Sequence, residues 1–425
     1  MNRLFPRALL FAALCLVAAK PSDQPPSPEP EKPSAEPSEP TELDLVKIKA
    51  LMDQRMEMYV ARCSEALPEE RDAVRAALVG RGTVWYDGRG RVKSLSCEEA
   101  TDADVKLFAA LPRLDSLYIG AGNASLFIGR GTMNVTDAGL LPLLTKAHQL
   151  RALRLRDTQM TDEGLKVIAQ LTKLESLSLS SYRVTDPGMA HLNGLKHLSS
   201  LNLIGSSVGD DGMRKVADHR SLRALGVGGR VTSHGLAELV RLTFLADLWI
   251  ERDLSDDDML AVGQMKNLEV LRCGLLGLTD EGLRRMKDLK RLRSLALDRT
   301  HATDAGMAYV AQMKGLEKLS LNPGVGDVGI RLLGALTNLR ELKLMCPQVT
   351  DAGMAQLIAL RELRRLGLTY THVTAAGVAQ LGTLDRIEYI DLDYTEISDQ
   401  EAAILQRGGI PVSKLRGRYP PWLRR

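Results

Sequence analysis

A five-residue motif recurs along most of the chain at a spacing of 23 to 25 residues. Its clearest copy is Thr136-Asp137-Ala138-Gly139-Leu140. Thr101 opens the series 35 residues earlier, because an insertion at 120–134 lengthens the first unit. Further copies begin at Thr161, Thr185, Gly209, Thr232, Ser255, Thr279, Thr303, Gly326, Thr350 and Thr374, with a divergent copy at Ser398. A period of this length indicates an array of about thirteen small units that bury their apolar faces only by stacking.

Each unit joins a helical half to a strand half. From Asp162 to Leu171 the apolar residues fall at helical spacing, and the Thr-Asp start offers an oxygen to cap the first turn. From Leu174 to Leu179 apolar and polar residues alternate, as in a strand with one buried face. The sequence therefore predicts a parallel sheet on one side of the array and short helices on the other.

The combined pattern L-x-x-L-x-L followed by V-T-D-x-G-L-x-x-L resembles leucine-rich repeats. It is most similar to the bacterial "TDxGL" kind and to the repeats of F-box-type and ribonuclease-inhibitor-type proteins. The resemblance covers residues 101–397 and implies an α/β solenoid: a curved arc with the sheet on the concave face and the helices on the convex face. The asparagine or cysteine that usually follows the strand is replaced, for example by Thr158, Tyr182 and Ser206, so we expect an incomplete polar ladder.

The first 42 residues resemble an export signal followed by a spacer. Residues 1–19 combine two arginines with a short apolar run that ends in small residues, which predicts a signal peptide. That run is too short to span a bilayer, and no other segment predicts a membrane span. Lipid anchoring at Cys15 is disfavoured because Leu14 is bulky. Residues 20–42 are a Pro/Ser/Glu-rich linker, so we expect a protein exported to the periplasm, the cell envelope or the medium.

Both ends of the array are expected to be capped, since terminal repeats would otherwise expose core. Residues 43–100 are interpreted as a helical N-terminal cap with a second helix from Pro68, followed by a hairpin of residues 83–86 and 92–96. Residues 398–425 are interpreted as a C-terminal cap and a basic tail. A Cys63–Cys97 disulfide in the N-terminal cap is one possibility in an exported chain.

Composition and motifs disfavour several classes of function. The chain has 56 basic and 53 acidic residues, without the basic excess typical of nucleic-acid binders. It lacks HExxH and Walker motifs, and its GxSxG and GxGxxG strings, at 205–209 and 324–329, run into the copies of the repeat motif at Gly209 and Gly326, so no enzymatic activity, cofactor or metal is expected. We therefore expect a monomeric scaffold that binds a protein. The alternative is a structural or adhesive protein that binds through the insertion at 120–134 or through the tail.

Candidate binding residues lie in the strand positions that point into the concave face. Trp249 and Arg272 lead, because exposed tryptophan and arginine are the residue types most often found as binding hot spots. The alternative for Trp249 is packing over the small Gly226 and Gly228. The full candidate set is Trp249, Arg272, Asp247, Glu251, Asn202, Lys318, Lys343 and Arg154.

Overall fold

The structure is a computed structural model that describes residues 68–79, 82–87, 91–111, 113–120, 135–297, 300–321 and 323–414. The signal and linker segments, the helix expected before Pro68, Cys63, the insertion beyond Gly120 and the tail from residue 415 lie outside the described residues.

The strands form one sheet in which each strand lies beside the next strand in the chain. β1 and β2 form an antiparallel hairpin, and every later strand runs parallel to its predecessor. The sheet is open, with β1 and β15 at its edges. The strands are β1 (Thr83–Tyr86), β2 (Val92–Cys97), β3 (Ser116–Ile119), β4 (Ala152–Arg156), β5 (Ser176–Ser180), β6 (Ser200–Asn202), β7 (Ala224–Val227), β8 (Asp247–Ser255), β9 (Val270–Gly277), β10 (Ser294–Ala296), β11 (Lys318–Leu321), β12 (Glu341–Leu344), β13 (Arg365–Gly367), β14 (Tyr389–Asp391) and β15 (Val412–Ser413).

Among the described residues one helix precedes the hairpin, and short helices connect successive parallel strands. They are α1 (Pro68–Val79), α2 (Asp102–Ala109), α3 (Asp137–Lys146), α4 (Asp162–Ile168), α5 (Asp186–Met189), α6 (Asp210–Val216), α7 (Ser233–Leu239), α8 (Met259–Val262), α9 (Asp280–Met286), α10 (Asp304–Val310), α11 (Asp327–Leu333), α12 (Asp351–Leu357), α13 (Ala375–Ala379) and α14 (Asp399–Arg407), with 3-10 turns at Ala190–Gly194 and Gln380–Thr383. This alternation confirms the predicted α/β leucine-rich-repeat solenoid.

Equivalent leucines from successive strands form the core. Leu153, Leu177 and Leu201 are in register on adjacent strands, and each is almost fully buried. The helical positions Leu165 and Ile168 close the other side of the same layer and are also buried. Every unit thus adds one thin apolar layer, which orients the alternate strand residues toward the face opposite the helices, the concave face.

Aspartates at the helix starts bond neighbouring units to each other. Asp280 accepts the Thr303 backbone N–H at its Oδ1 atom (2.8 Å) and the Thr303 hydroxyl at its Oδ2 atom (2.7 Å). We call one such contact a rung and the series the carboxylate ladder. The other complete rungs are Asp102–Thr136, Asp137–Thr161, Asp162–Thr185, Asp210–Thr232, Asp256–Thr279, Asp327–Thr350 and Asp351–Thr374. The rungs Asp186–Gly209 and Asp304–Gly326 have the backbone N–H bond alone, because glycine has no hydroxyl. Neighbouring units are thus tied together by a ladder at the helix starts, whereas the sequence predicts only an incomplete polar ladder after the strands.

The ladder also explains the glycine of the recurring motif. A Cβ atom at Gly306 would lie 2.2 Å from the Asp280 Oδ1 atom and 2.8 Å from a Leu283 methyl carbon. Real Cβ atoms do not come that close to a neighbour, so a side chain here would push the carboxylate off its rung. Within the motif, Thr donates to the previous unit, Asp accepts from the next unit, and Gly leaves room for the previous unit's Asp.

Three copies of the motif carry an acid where the glycine belongs, namely Asp104, Asp258 and Glu401. Each accepts the backbone N–H and the hydroxyl at the start of its own motif, respectively Thr101, Ser255 and Ser398. No motif copy precedes Thr101, while Ser233 and Ala375 occupy the ladder position before Ser255 and Ser398. An acid thus replaces the motif glycine where the preceding rung is missing.

Candidate functional site

The two longest strands of the described sheet, β8 and β9, form the centre of the concave face. Trp249 on β8 is in register with Gly226 on β7 and with Arg272 on β9. Asp247 and Glu251 lie two residues to either side of Trp249 on the same strand and therefore share its face. The structure thus brings together four of the candidate residues.

Trp249 keeps much of its side chain accessible, because 45% of the residue's surface is exposed. The three atoms nearest to a Cβ built at Gly226 belong to Asn202 and Ile204, not to Trp249. Gly226 is therefore covered from the β6 side. Almost half of the Trp249 surface is thus available to a partner.

Arg272 is held beside Trp249 by an ion pair. Its Nη1 atom lies 2.9 Å from both carboxylate oxygens of Asp247. Both side chains are partly exposed, so water screens the pair and its contribution to stability is under about 1 kcal/mol. The pair instead orders the guanidinium next to an exposed aromatic ring.

Glu251 and Asn202 hold backbone groups of the turn after β6. Glu251 Oε2 accepts the Gly205 backbone N–H at 3.2 Å, reaching across the intervening strand β7. Asn202 Oδ1 accepts the Ile204 backbone N–H at 2.9 Å. Both residues lie on the expected face, and the structure adds a structural contact for each that the sequence did not reveal.

The remaining candidates form two separate groups. Lys318 and Lys343 lie on either side of Glu341, at N–O distances of 3.7 and 3.3 Å. Arg154 on β4 lies 5.3 Å from the ring centre of Tyr118. At about 4.8 Å per strand, β4 is roughly 19 Å and β11 roughly 14 Å from β8, so one contact patch has to be broad to include all three groups.

Sequence reasoning missed two features near this face. Met345, which follows β12, is 41% exposed on the same side of the sheet as the lysines. Arg252 on β8 forms a largely buried ion pair with Asp258. An acid in place of the motif glycine was the available sequence signal for the second feature.

The described cysteine thiols are held in their neutral form. Burial raises the pKa of the Cys273 and Cys346 thiols to about 12 and of the Cys97 thiol to about 11, so the reactive thiolates are scarce near neutral pH. No cluster of three or more His, Cys, Asp or Glu side chains suited to a metal occurs in the described part of the chain. Within that part, no helix has the length and apolar character needed to cross a membrane.

Comparisons with known proteins agree with this architecture. The family model described as "Leucine Rich repeat" matches residues 146–169. Among solved structures, an internalin (inlF) from Listeria monocytogenes str. 4b F2365 is similar with a TM-score of 0.53 and 19% identity, covering 77% of this chain and 87% of the internalin chain. No curated protein matches the sequence. The chain is therefore a leucine-rich-repeat protein by fold.

Proposed function

We propose that this protein is a non-enzymatic scaffold that binds a protein partner through the concave face around β8 and β9. The observation that carries the proposal is the exposed Trp249 ring, flanked in register by the ordered Arg272. Tryptophan and arginine at the centre of a polar patch are the side chains that most often dominate binding energy. Asp247, Glu251 and Asn202 surround this centre, while Lys318, Lys343 and Arg154 lie farther along the face.

The size of the face suits a protein ligand. Fifteen strands at about 4.8 Å extend roughly 65 Å along the array, enough for a standard interface of about 800 Å² on each partner. A broad, open surface of this kind favours a macromolecular partner.

The proposed setting is the cell envelope or the extracellular space, and it rests on the pattern of the first 42 residues. In this interpretation residues 1–19 direct export, 20–42 form a spacer, 43–100 cap the array, 101–397 form the repeats, and 398–425 end it. The alternative remains a structural or adhesive protein that binds through the insertion at 120–134 or through the tail. The Trp249 variant below separates the two.

The test is capture of a partner from the envelope and medium of the source organism by the chain lacking residues 1–19. We expect Trp249→Ala to weaken binding at least about tenfold, because it removes an aromatic side chain that the partner would bury on binding. Trp85→Ala is the matched control, since Trp85 is similarly exposed, at 48%, but belongs to the N-terminal hairpin. Affinity should be measured by biolayer interferometry with both variants. Equal affinity of the wild type and Trp249→Ala would instead support the insertion or the tail.

A further inference from the structure

The carboxylate ladder is interrupted in the middle of the array. An unbroken series of rungs runs from Asp102 to Thr232, and a second series runs from Asp256 to Thr374. Between them, Ser233 occupies the ladder position and provides no carboxylate for Ser255. We call residues 231–258, where the two series meet, the joint.

Arg252 replaces the missing rung at the joint. Its Nε atom donates to the Val231 carbonyl oxygen of the preceding unit at 2.6 Å. Its Nη1 and Nη2 atoms donate to the two carboxylate oxygens of Asp258 at 2.9 and 2.6 Å. The Asp258 carboxylate also accepts the Ser255 N–H and hydroxyl at 2.9 and 3.0 Å. One side chain therefore connects the two units where elsewhere a carboxylate does so directly.

The Arg252–Asp258 pair is shielded from water. Only 5% of the Asp258 side chain and 21% of the Arg252 side chain are exposed. Burial alone raises the pKa of Asp258, but hydrogen bonds from Arg252 and Ser255 outweigh it and hold the pKa below its usual value. The hydrogen bond to Asp258 raises the pKa of Arg252. Both groups therefore stay charged at neutral pH, and losing one would leave the other buried without its counter-charge.

The helix layer is also thin at this place: α5 and α8 are the shortest α-helices of the described residues, and only α5 is continued by a 3-10 turn. α8, on the C-terminal side of the joint, has four residues, whereas the helices on the C-terminal sides of the neighbouring rungs, α7 and α9, have seven each. In a solenoid each unit contacts only its neighbours, so the cohesion of each junction is set locally. A junction without a rung and with a short helix depends on its remaining polar contact more than the others do.

We propose that the array between Asp102 and Thr374 consists of two ladder-bonded bodies, that Arg252 holds them together at the joint, and that this part of the array opens there first. β8 carries both Arg252 and Trp249, so opening would displace Trp249 relative to Asn202 on β6. This link to ligand binding rests on the proposed function, while the joint itself does not. The experiment below uses the free protein and therefore tests the joint even if no partner binds the concave face.

Native-state hydrogen exchange followed by mass spectrometry tests the joint in the full chain. We expect Arg252→Met to accelerate exchange at least about tenfold in peptides covering 228–233 and 252–262, because these segments lose their connection. Peptides that contain the rung amides of Thr161 and Thr350 should exchange as in the wild type. Arg284→Met is the control, since Arg284 forms an exposed pair with Glu281 inside one helix.

A triple variant keeps the proposal falsifiable. Ser233→Asp and Asp258→Gly recreate an ordinary rung to Ser255, so adding them to Arg252→Met should return exchange at the joint to the wild-type rate. Exchange that stays fast in the triple variant would overturn the idea that Arg252 holds the two units together as a rung does elsewhere. Acceleration spread evenly over both bodies in Arg252→Met, including complete unfolding, would overturn the claim that the joint opens first.

Discussion

Gly306→Asp is expected to destabilise the protein by about 4 kcal/mol, through overpacking, a lost rung and two adjacent carboxylates. The new Cβ atom would lie 2.2 Å from the Asp280 Oδ1 atom, so the Asp280 carboxylate has to leave Thr303. The change is measured as the free energy of unfolding from urea titrations followed by circular dichroism. Gly382→Asp is the control, because its nearest neighbours are ordinary contacts at 3.7 Å.

Asp280→Ser is expected to recover at least half of that loss when it is combined with Gly306→Asp. The pair reproduces the natural arrangement of Ser233 and Asp258, in which the acid at the glycine position accepts its own motif's N–H and hydroxyl. Each single change removes or displaces a rung, whereas the double variant provides an internal acceptor for Thr303. Additive effects of the two changes in a double-mutant cycle would contradict this account of the ladder.

His219→Leu is expected to stabilise the protein by about 2 kcal/mol at pH 7.5, since it replaces a buried polar ring with an apolar side chain. His219 takes the position that Leu195 and Leu242 hold in the adjoining units. It is 7% exposed, and its Nε2 atom has no hydrogen-bond partner among the described residues. Urea titrations of the variant and the wild type measure the difference.

That difference should widen as the pH falls. Burial, followed by the nearby positive charge of Lys196, lowers the pKa of His219 below its usual 6.5 in the folded state, while Asp218 opposes the shift. The unfolded chain therefore binds the proton more readily than the folded chain. The wild type loses stability as the pH falls from above 6.5 toward the folded pKa, and the Leu variant escapes that loss. His197→Leu, at an exposed position of the preceding unit, is the control for the substitution itself. A constant difference between pH 7.5 and 5 for His219→Leu would contradict the assignment.

The repeat period was sufficient to predict the fold, because apolar spacing alone decides which residues face the core. The same register predicts which residues of successive strands lie side by side on the concave face, as the pairing of Gly226, Trp249 and Arg272 shows. The ladder was not predicted, because an aspartate at a helix start is equally well explained by capping and the helix dipole. The partner of Asp280 lies 23 residues away, and only the stacking of units reveals it.

The contacts of individual site residues were equally inaccessible to sequence reasoning. The direction of a long side chain depends on what neighbouring strands leave open. Glu251 reaches Gly205 across β7, where the residue beside Glu251 in register is a glycine with no side chain in the way. Arg272 turns toward Asp247, one strand back. The direction of these side chains is set by contacts between strands. The alternation of apolar and polar residues within one strand does not predict it.

The ladder gives the array a rule for gaining and losing units by recombination. A deletion of 279–302 would place Asp256 against Thr303 and Gly306, which is a compatible boundary. A deletion of 232–254 would instead place Asp210 against Asp258, two carboxylates competing for one space. Variants with more or fewer units should therefore arise within either body more readily than across residues 231–258. The length of the concave face can then change while its centre, around β8, stays intact.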